Sequence, residues 1–383
     1  VTTAADPGGL RLAVDANPLL GHRSGVGRYL QGVLDGLARL ADAPEPMLTL
    51  YNRRGQLPGP APQRTRPTPR RLPGRLLNPL WSRVAFPPVE VLTGRIDVFH
   101  AGNYVLPPLL RAAGVVTVHD LAYLRFRDTV DDNVRTYRER VPDALKRAGR
   151  VVTVSQAVRE ELCAEYSLDP ASVVVAPNGV DPGWSLAQPP STAVRERLGL
   201  PERYLLFVGN LEPRKGLPTL AAAHAAARRE CPSVPPLVLV GPPGWGDVWG
   251  QQRPDPADVK HLGYLTDDDL GPVVAGALAL CMPSVYEGFG LPVLEALACG
   301  RPALVSDISA HREVGGQLAH YLAVGDVDAW SAALVEVSTH HEAPGLVGDR
   351  RARAALFTWE RSAAVHLEAW RQAAAERVRR MPR

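Results

Sequence analysis

The sequence predicts an α/β protein built from two doubly wound domains, and three observations lead there. At 383 residues the chain exceeds what one hydrophobic core usually organises. Short unbroken apolar runs alternate with helical patterns, as expected of parallel strands covered on both faces. Turn residues interrupt that rhythm around PNGVDPGW (177–184), after which it resumes.

The first series opens with LRLAVDA (10–16), a strand that stops at Asn17-Pro18, and GHRSGVGRYLQGVLDGLARL then runs from a glycine loop into a helix. MLTLY (47–51), IDVFH (96–100), VVTVH (115–119), VVTVS (151–155) and VVVAP (173–177) are its further strands, several followed by helical patterns such as SQAVREELCAEY. Residues 53–75, dense in Pro and Arg and without an apolar period, read as a loop. With Trp81 nearby, their cations also allow weak peripheral contact with a membrane, although a solvated loop is the simpler reading.

The second series consists of YLLFVG (204–209), LVLVG (237–241), VKHLGYL (259–265), LALCMP (278–283) and PALVS (302–306), with helices between them such as LPTLAAAHAAARRE. The end of the chain, TWERSAAVHLEAWRQAAAERVRR, reads as a long amphipathic helix. The expected division is residues 1–180, residues 181–359, and a terminal helix (360–383) packing back on the first domain.

Composition narrows the class of function. A formal net charge of +3 gives no global argument for nucleic acid. Cys163, Cys231, Cys281 and Cys299 form no Cys-x-x-Cys pair and mostly sit in apolar runs, so buried free thiols in a reducing cytosol are expected. No apolar run spans a bilayer and the first residues lack the pattern of a signal peptide, so the expected location is cytoplasmic, with the inner face of a membrane as the peripheral alternative. No His/Cys cluster has zinc spacing, and Asp267-Asp268-Asp269 reads as a helix start after Thr266 rather than a magnesium site. No metal is expected.

In a doubly wound sheet, ligands bind beyond the carboxyl ends of the strands, where glycines admit the backbone and helix starts offer N–H groups to anions. Three motifs fall at such places. GHRSGVGRY puts Gly25 and Gly27 between a strand and its helix; alone it is as compatible with a tight connection as with a ligand. GNLEPRKG (209–216) puts Arg214 and Lys215 just before a helix, where two cations suit a diphosphate. PSVYEGFGLPVLEALACG (283–300) is the most specific. Pro292 suits the first turn of a helix that Gly300 ends. Glu287 in the loop and Glu295 on the helix have seven residues between them, and Gly288 and Gly290 free the intervening backbone.

This last segment resembles the signature of the retaining GT-B glycosyltransferases of family 4, which carries two glutamates separated by seven residues around a GFG-type loop. The resemblance extends, in the family's order, through SGVGRY, VHD (118–120), VTVSQAVRE (152–160), PNGVD (177–181), VGNLEPRKG (208–216), HLGYL (261–265) and Glu287 to Glu295. It implies two Rossmann-like domains facing across a cleft and metal-independent transfer of a sugar from a nucleotide diphosphate. Arg214 and Lys215 would hold the diphosphate, Glu287 would lie near the sugar and Glu295 at the ribose. Phe289, Gly290 and Leu291 would offer backbone N–H groups, Gly263, Tyr264 and Leu265 would hold the base, and Gly25 and Gly27 would approach the diphosphate.

The resemblance also implies a role for His119 in orienting donor or acceptor, and places Asp120, Ser155 and Asn178 on the acceptor side; Asp120 could equally cap the next segment. One departure stands out: in SDISAHREVGG (306–316), His311-Arg312 replaces the usual apolar-proline pair, while Glu313 keeps the acidic position. The VHDL and GNLEPRKG versions are most similar to the mannosyltransferase branch. That makes GDP-mannose the expected donor, ahead of a UDP-sugar, and a glycan or lipid-linked molecule the acceptor. A phosphorylase or sugar-phosphate synthase of the same fold, an epimerase and a non-catalytic nucleotide-sugar binder are the other readings.

Overall fold

Each apolar series forms one parallel sheet, and its central strands are apolar throughout because they are covered on both faces. The computed structural model describes residues 9–20, 24–51, 57, 60–70, 74, 77, 80–81, 84–126, 136–244, 246, 248–249, 254–340, 342–343 and 345–380. By contact the chain divides into two units. The first is the described part of Val1–Leu121, Thr136–Gly179 and Thr358–Arg383, and the second that of Ala122–Arg135 and Val180–Phe357.

The first unit contains β1 (Leu12–Asp15), β2 (Met47–Thr49), β3 (Arg66–Pro67), β4 (Val98–Ala101), β5 (Ala113–Val118), β6 (Arg150–Thr153) and β7 (Val173–Val175), in the order β3-β2-β1-β4-β5-β6-β7. All its pairings are parallel, with Val14 opposite Leu48 on one side and His100 on the other. The second unit contains β8 (Leu205–Val208), β9 (Leu237–Val240), β10 (Val259–His261), β11 (Ala279–Met282), β12 (Ala303–Ser306) and β13 (His320–Leu322), in the order β10-β9-β8-β11-β12-β13, again all parallel. Both are Rossmann-like α/β sheets, and in each the strand order reverses beside the first strand: between β1 and β4, and between β8 and β11. That switch point is where such a sheet binds ligands.

Two readings of the first series need correction. Residues 53–75 are not simply a loop, because Arg66 and Pro67 pair with Met47 and Leu48 as an edge strand, a position that tolerates proline's missing N–H. Arg64 donates to the carbonyls of Ala38, Leu40 and Ala43 near the end of the helix Gly25–Arg39, and Arg70 donates to that of Val91. Arg71 lies outside the described residues. Gly25 and Gly27 are not between strand and helix but the first and third residues of that helix, capped by Ser24. A Cβ on Gly27 would lie 2.8 Å from the Pro18 carbonyl, so this glycine serves close packing, whereas Gly25 faces open space.

The helix Trp359–Arg380 belongs to the first unit. Trp359 occupies the space that side chains at Gly32 and Gly36 would fill: their Cβ atoms would come within 2.1 and 2.2 Å of it. Cys281 and Cys299 are buried, and burial pushes each thiol up to about 12. Cys163 and Cys231, which lie outside the strongly apolar runs, are only half-buried, so the expectation of buried thiols does not extend to them. Among the described residues no helix is long and apolar enough to cross a membrane.

Candidate active site

In the second unit the loops after β8 and β11 are locked together by close backbone approach. Gly216 has φ 68°, and a Cβ there would lie 2.1 Å from the Pro283 carbonyl, so only glycine fits. The Val285 N–H donates to the Arg214 carbonyl at 2.9 Å. This seats the 3-10 turn Pro213–Lys215 against the loop that carries Glu287. Lys215 Nζ donates to Glu287 Oε1 at 2.6 Å, and Arg214 Nη1 to Oε2 at 3.1 Å. Ser284 Oγ donates to Oε1 at 2.7 Å. Arg214 Nε also donates to Glu212 at 2.9 Å, and Glu212 is itself buried.

Burial pushes the Glu287 carboxyl upward, but Lys215 and Arg214 outweigh it and hold the acid well below the usual carboxylate range. The cluster is therefore charged, with two cations beside a carboxylate whose oxygens are all engaged. Neither Glu212 nor Ser284 was singled out in the sequence, because a lone Glu or Ser beside a turn carries no pattern.

The helix Leu291–Ala298 starts from Gly290, whose φ of 103° again requires glycine, and Pro292 lies in its first turn. Among the described residues no acceptor takes the N–H groups of Phe289, Gly290 or Leu291. These donors beside Arg214 and Lys215 suit an anion. The Phe289 ring packs edge-on to Phe357 with centroids 6.0 Å apart, so only its backbone is placed for a ligand. Glu295 is buried on the same helix. Gly263 follows edge strand β10 with φ 70° and open space around it; Tyr264 is half-buried and Leu265 buried. From β10 to β12 is four strand spacings, roughly 19 Å along the carboxyl edge. Asp267–Asp269 do open the helix Asp267–Gly276, but Thr266 makes no side-chain cap and Asp269 pairs with Arg197.

His311 is fully buried at the carboxyl end of β12, with Nδ1 2.9 Å from the Ser306 carbonyl. Arg312 is exposed, pairing with Asp307 and lying over Tyr321.

In the first unit, His119 Nε2 donates to the Gly102 carbonyl at 2.8 Å, which leaves the lone pair on Nδ1 of the neutral ring. Burial pushes its pKa below the ordinary value, against the opposing pull of the Gly102 bond and Asp120. Tyr29 stands edge-on to the ring at 4.7 Å and Tyr104 at 5.9 Å. Asp120 accepts from the Tyr104 hydroxyl at 3.0 Å and returns its own N–H to it at 3.1 Å. Ser155 is buried as the cap of the helix Gln156–Tyr166, accepting from the Val158 N–H. Asn178 is buried, and its Oδ1 has no partner among the described residues.

Beneath His119 lies a hydrogen-bond chain that the sequence did not reveal. Trp370 Nε1 donates to His100 Nδ1 at 2.7 Å, so neutral His100 carries its proton on Nε2 and donates to Thr117 at 3.0 Å. At the other end His366 Nδ1 donates to the Ser362 carbonyl, so its Nε2 accepts from Tyr29 at 2.8 Å and Thr117 donates to Tyr29 at 2.7 Å. Indole at one end and carbonyl at the other fix every direction. At the end of β1, Asp15 is raised to about 6 by burial, against hydrogen bonds from Asn17.

Comparison with known proteins converges on the same reading. Residues 23–184 match the family described as Glycosyltransferase Family 4, and residues 202–340 that described as Glycosyl transferases group 1. The chain is 30% identical to the O-antigen chain mannosyltransferase B of Escherichia coli, over 69% of this chain and 71% of that protein. The chain belongs to the GT-B glycosyltransferases related to family 4. This glycosyltransferase is also 30% identical to the MMP alpha-(1->4)-mannosyltransferase of Mycolicibacterium hassiacum, over 75% of this chain and 74% of that protein. In fold it is similar to a sucrose-phosphate synthase from Thermosynechococcus elongatus, with a TM-score of 0.69 at 20% identity, covering 96% of this chain and all of that one. Among the described residues no group of His, Cys, Asp and Glu side chains could hold a metal ion.

Proposed function

We propose that this glycosyltransferase moves a hexose, mannose in the first instance, from a nucleotide diphosphate to a hydroxyl of a glycan or lipid-linked acceptor, with retention and without a metal. The observation that carries the proposal is the cluster of Arg214, Lys215 and Glu287 beside the open N–H groups at Phe289–Leu291. A diphosphate would take over the two cations, which neutralise the charge that grows on it as the bond to the sugar breaks. Glu287, released from them, would accept hydrogen bonds from sugar hydroxyls. Glu295 is assigned to the ribose, and Tyr264 with its neighbours to the base, by the family resemblance. The sugar's anomeric carbon bonds to the acceptor oxygen, the leaving diphosphate oxygen takes the acceptor's proton, and His119, neutral with a lone pair on Nδ1, orients a hydroxyl. Two relatives named as mannosyltransferases support mannose as the transferred sugar; GDP as its carrier follows from the family resemblance. Location in the cytoplasm, with weak contact at the inner face of a membrane as the alternative, is part of the same proposal.

The test is release of GDP or UDP from a panel of nucleotide sugars in the presence of EDTA. Release from GDP-mannose, undiminished by the chelator, is expected. No release from any donor, with acceptor mixtures or water, would sink the enzymatic reading, and release only with inorganic phosphate would favour a phosphorylase.

A further inference from the structure

His311 stands where the sequence departs from its family's pattern, and its surroundings give the departure a use. Its Nδ1 faces the Ser306 carbonyl, which can only accept, so Nδ1 carries the proton and the neutral ring presents a lone pair at Nε2. Nε2 is buried and has no partner among the described residues. An acceptor left unanswered in such a place is costly, and native structures rarely keep one without a use.

The ring looks onto the donor cluster rather than into the apolar core. A Cβ built on Gly290 would lie 3.3 Å from its Cδ2 and 3.8 Å from its Nε2, so only glycine backbone separates the ring from the loop's open N–H groups. Burial lowers the imidazole's pKa, Glu287 and the Ser306 bond pull against that, and Lys215 adds to it, which keeps the ring neutral and places it within electrostatic reach of both charged groups.

We propose that His311 is a sugar-recognition residue whose Nε2 accepts a hydrogen bond from one hydroxyl of the transferred sugar. This rests on the donor reading above and deepens it. A phosphate oxygen at neutral pH offers no proton to a lone pair, whereas a sugar hydroxyl does. Gly290, with no side chain, lets a small shift of the loop bring that hydroxyl within reach.

The experiment replaces His311 by Leu, close in bulk and similar to the apolar residue of the usual pattern. Wild type and variant are assayed with GDP-mannose and UDP-glucose and with analogues in which each sugar hydroxyl is singly replaced by hydrogen. The proposal predicts that kcat/KM for the intact donor falls about tenfold, the worth of one such hydrogen bond. It also predicts that one deoxy analogue, poor for the wild type, becomes as good as the intact donor for the variant, while Kd for free GDP and UDP is unchanged. His311→Gln, whose amide oxygen can accept, should recover part of the discrimination, and this variant carries the test should the Leu variant fail to show a cooperative thermal transition. Wild-type ranking of the analogues in the variants would overturn the proposal, as would GDP and UDP binding that weakens in step with the donor. A wild type that binds GDP or UDP but releases neither from any donor would remove the transfer reading itself.

Discussion

Glu287 holds two cations in place, and it is the residue at which stability and binding pull in opposite directions. Replacing it by Gln leaves Lys215 buried without its carboxylate and Arg214 with Glu212 alone, which should destabilise the second unit by about 3 kcal/mol. A bound diphosphate would answer both cations, so GDP or UDP should raise the melting temperature of Glu287→Gln by more than that of the wild type. An equal or smaller shift would show that the nucleotide does not reach them. Turnover should fall by roughly 100-fold or more, because the sugar exchanges a charged acceptor with two oxygens for a neutral amide with one. Arg214, Lys215 and Glu287 were legible in the sequence because each sits at a fixed offset from glycines in a recognisable loop. Glu212 and Ser284, which complete the cluster, were not: their contribution arises only once Gly216 and Pro283 bring the two loops into contact.

The helix Trp359–Arg380 is the element whose role was least visible in advance. Its amphipathic period showed that it packs, but not that His366 and Trp370 end a directional chain running through His100, Thr117 and Tyr29 beside His119. Periodicity reports which face is buried and says nothing of the polar partners met there. His366 is lowered to about 4 by burial, so its contribution to stability is full above the unfolded value near 6.5 and is lost as pH falls toward 4. The loss amounts to about 3 kcal/mol. Asp15, raised to about 6, acts in the opposite sense, its contribution being present below the unfolded carboxyl value and lost as pH rises toward 6. The two oppose each other between pH 4 and 6, on top of the rise with pH contributed by His100, His119, His224 and His311, which burial also lowers. Asp15→Asn should therefore steepen the rise in stability with pH across that interval in urea titrations, and His366→Phe should make it shallower. Slopes unchanged from the wild type in both variants would contradict the shifts of these groups. The short strands β3 and β13 escaped the sequence for a simpler reason: two or three residues at a sheet edge leave no apolar run.

At the scale of the whole chain, two parallel sheets were readable from the spacing of apolar runs, because a parallel strand buried on both faces must be apolar throughout. The order of strands was not, since nothing in a run such as LVLV names its neighbour; the reversals beside β1 and β8 emerged only from the pairing. Those reversals explain why the chemistry-bearing residues gather as they do, Arg214 and Lys215 after β8 with Glu287 after β11, and Tyr29 on the helix after β1 with His100 on β4. Binding of a nucleotide diphosphate by the first of these groups, unaided by metal, is the central claim. Calorimetric titration of GDP and UDP into the wild type and into Lys215→Ala, both in EDTA, tests it most directly. Binding of at least one nucleotide to the wild type, weakened tenfold or more in the variant, is the predicted result. Binding that needs a divalent cation, or that survives the loss of Lys215 unchanged, would contradict it.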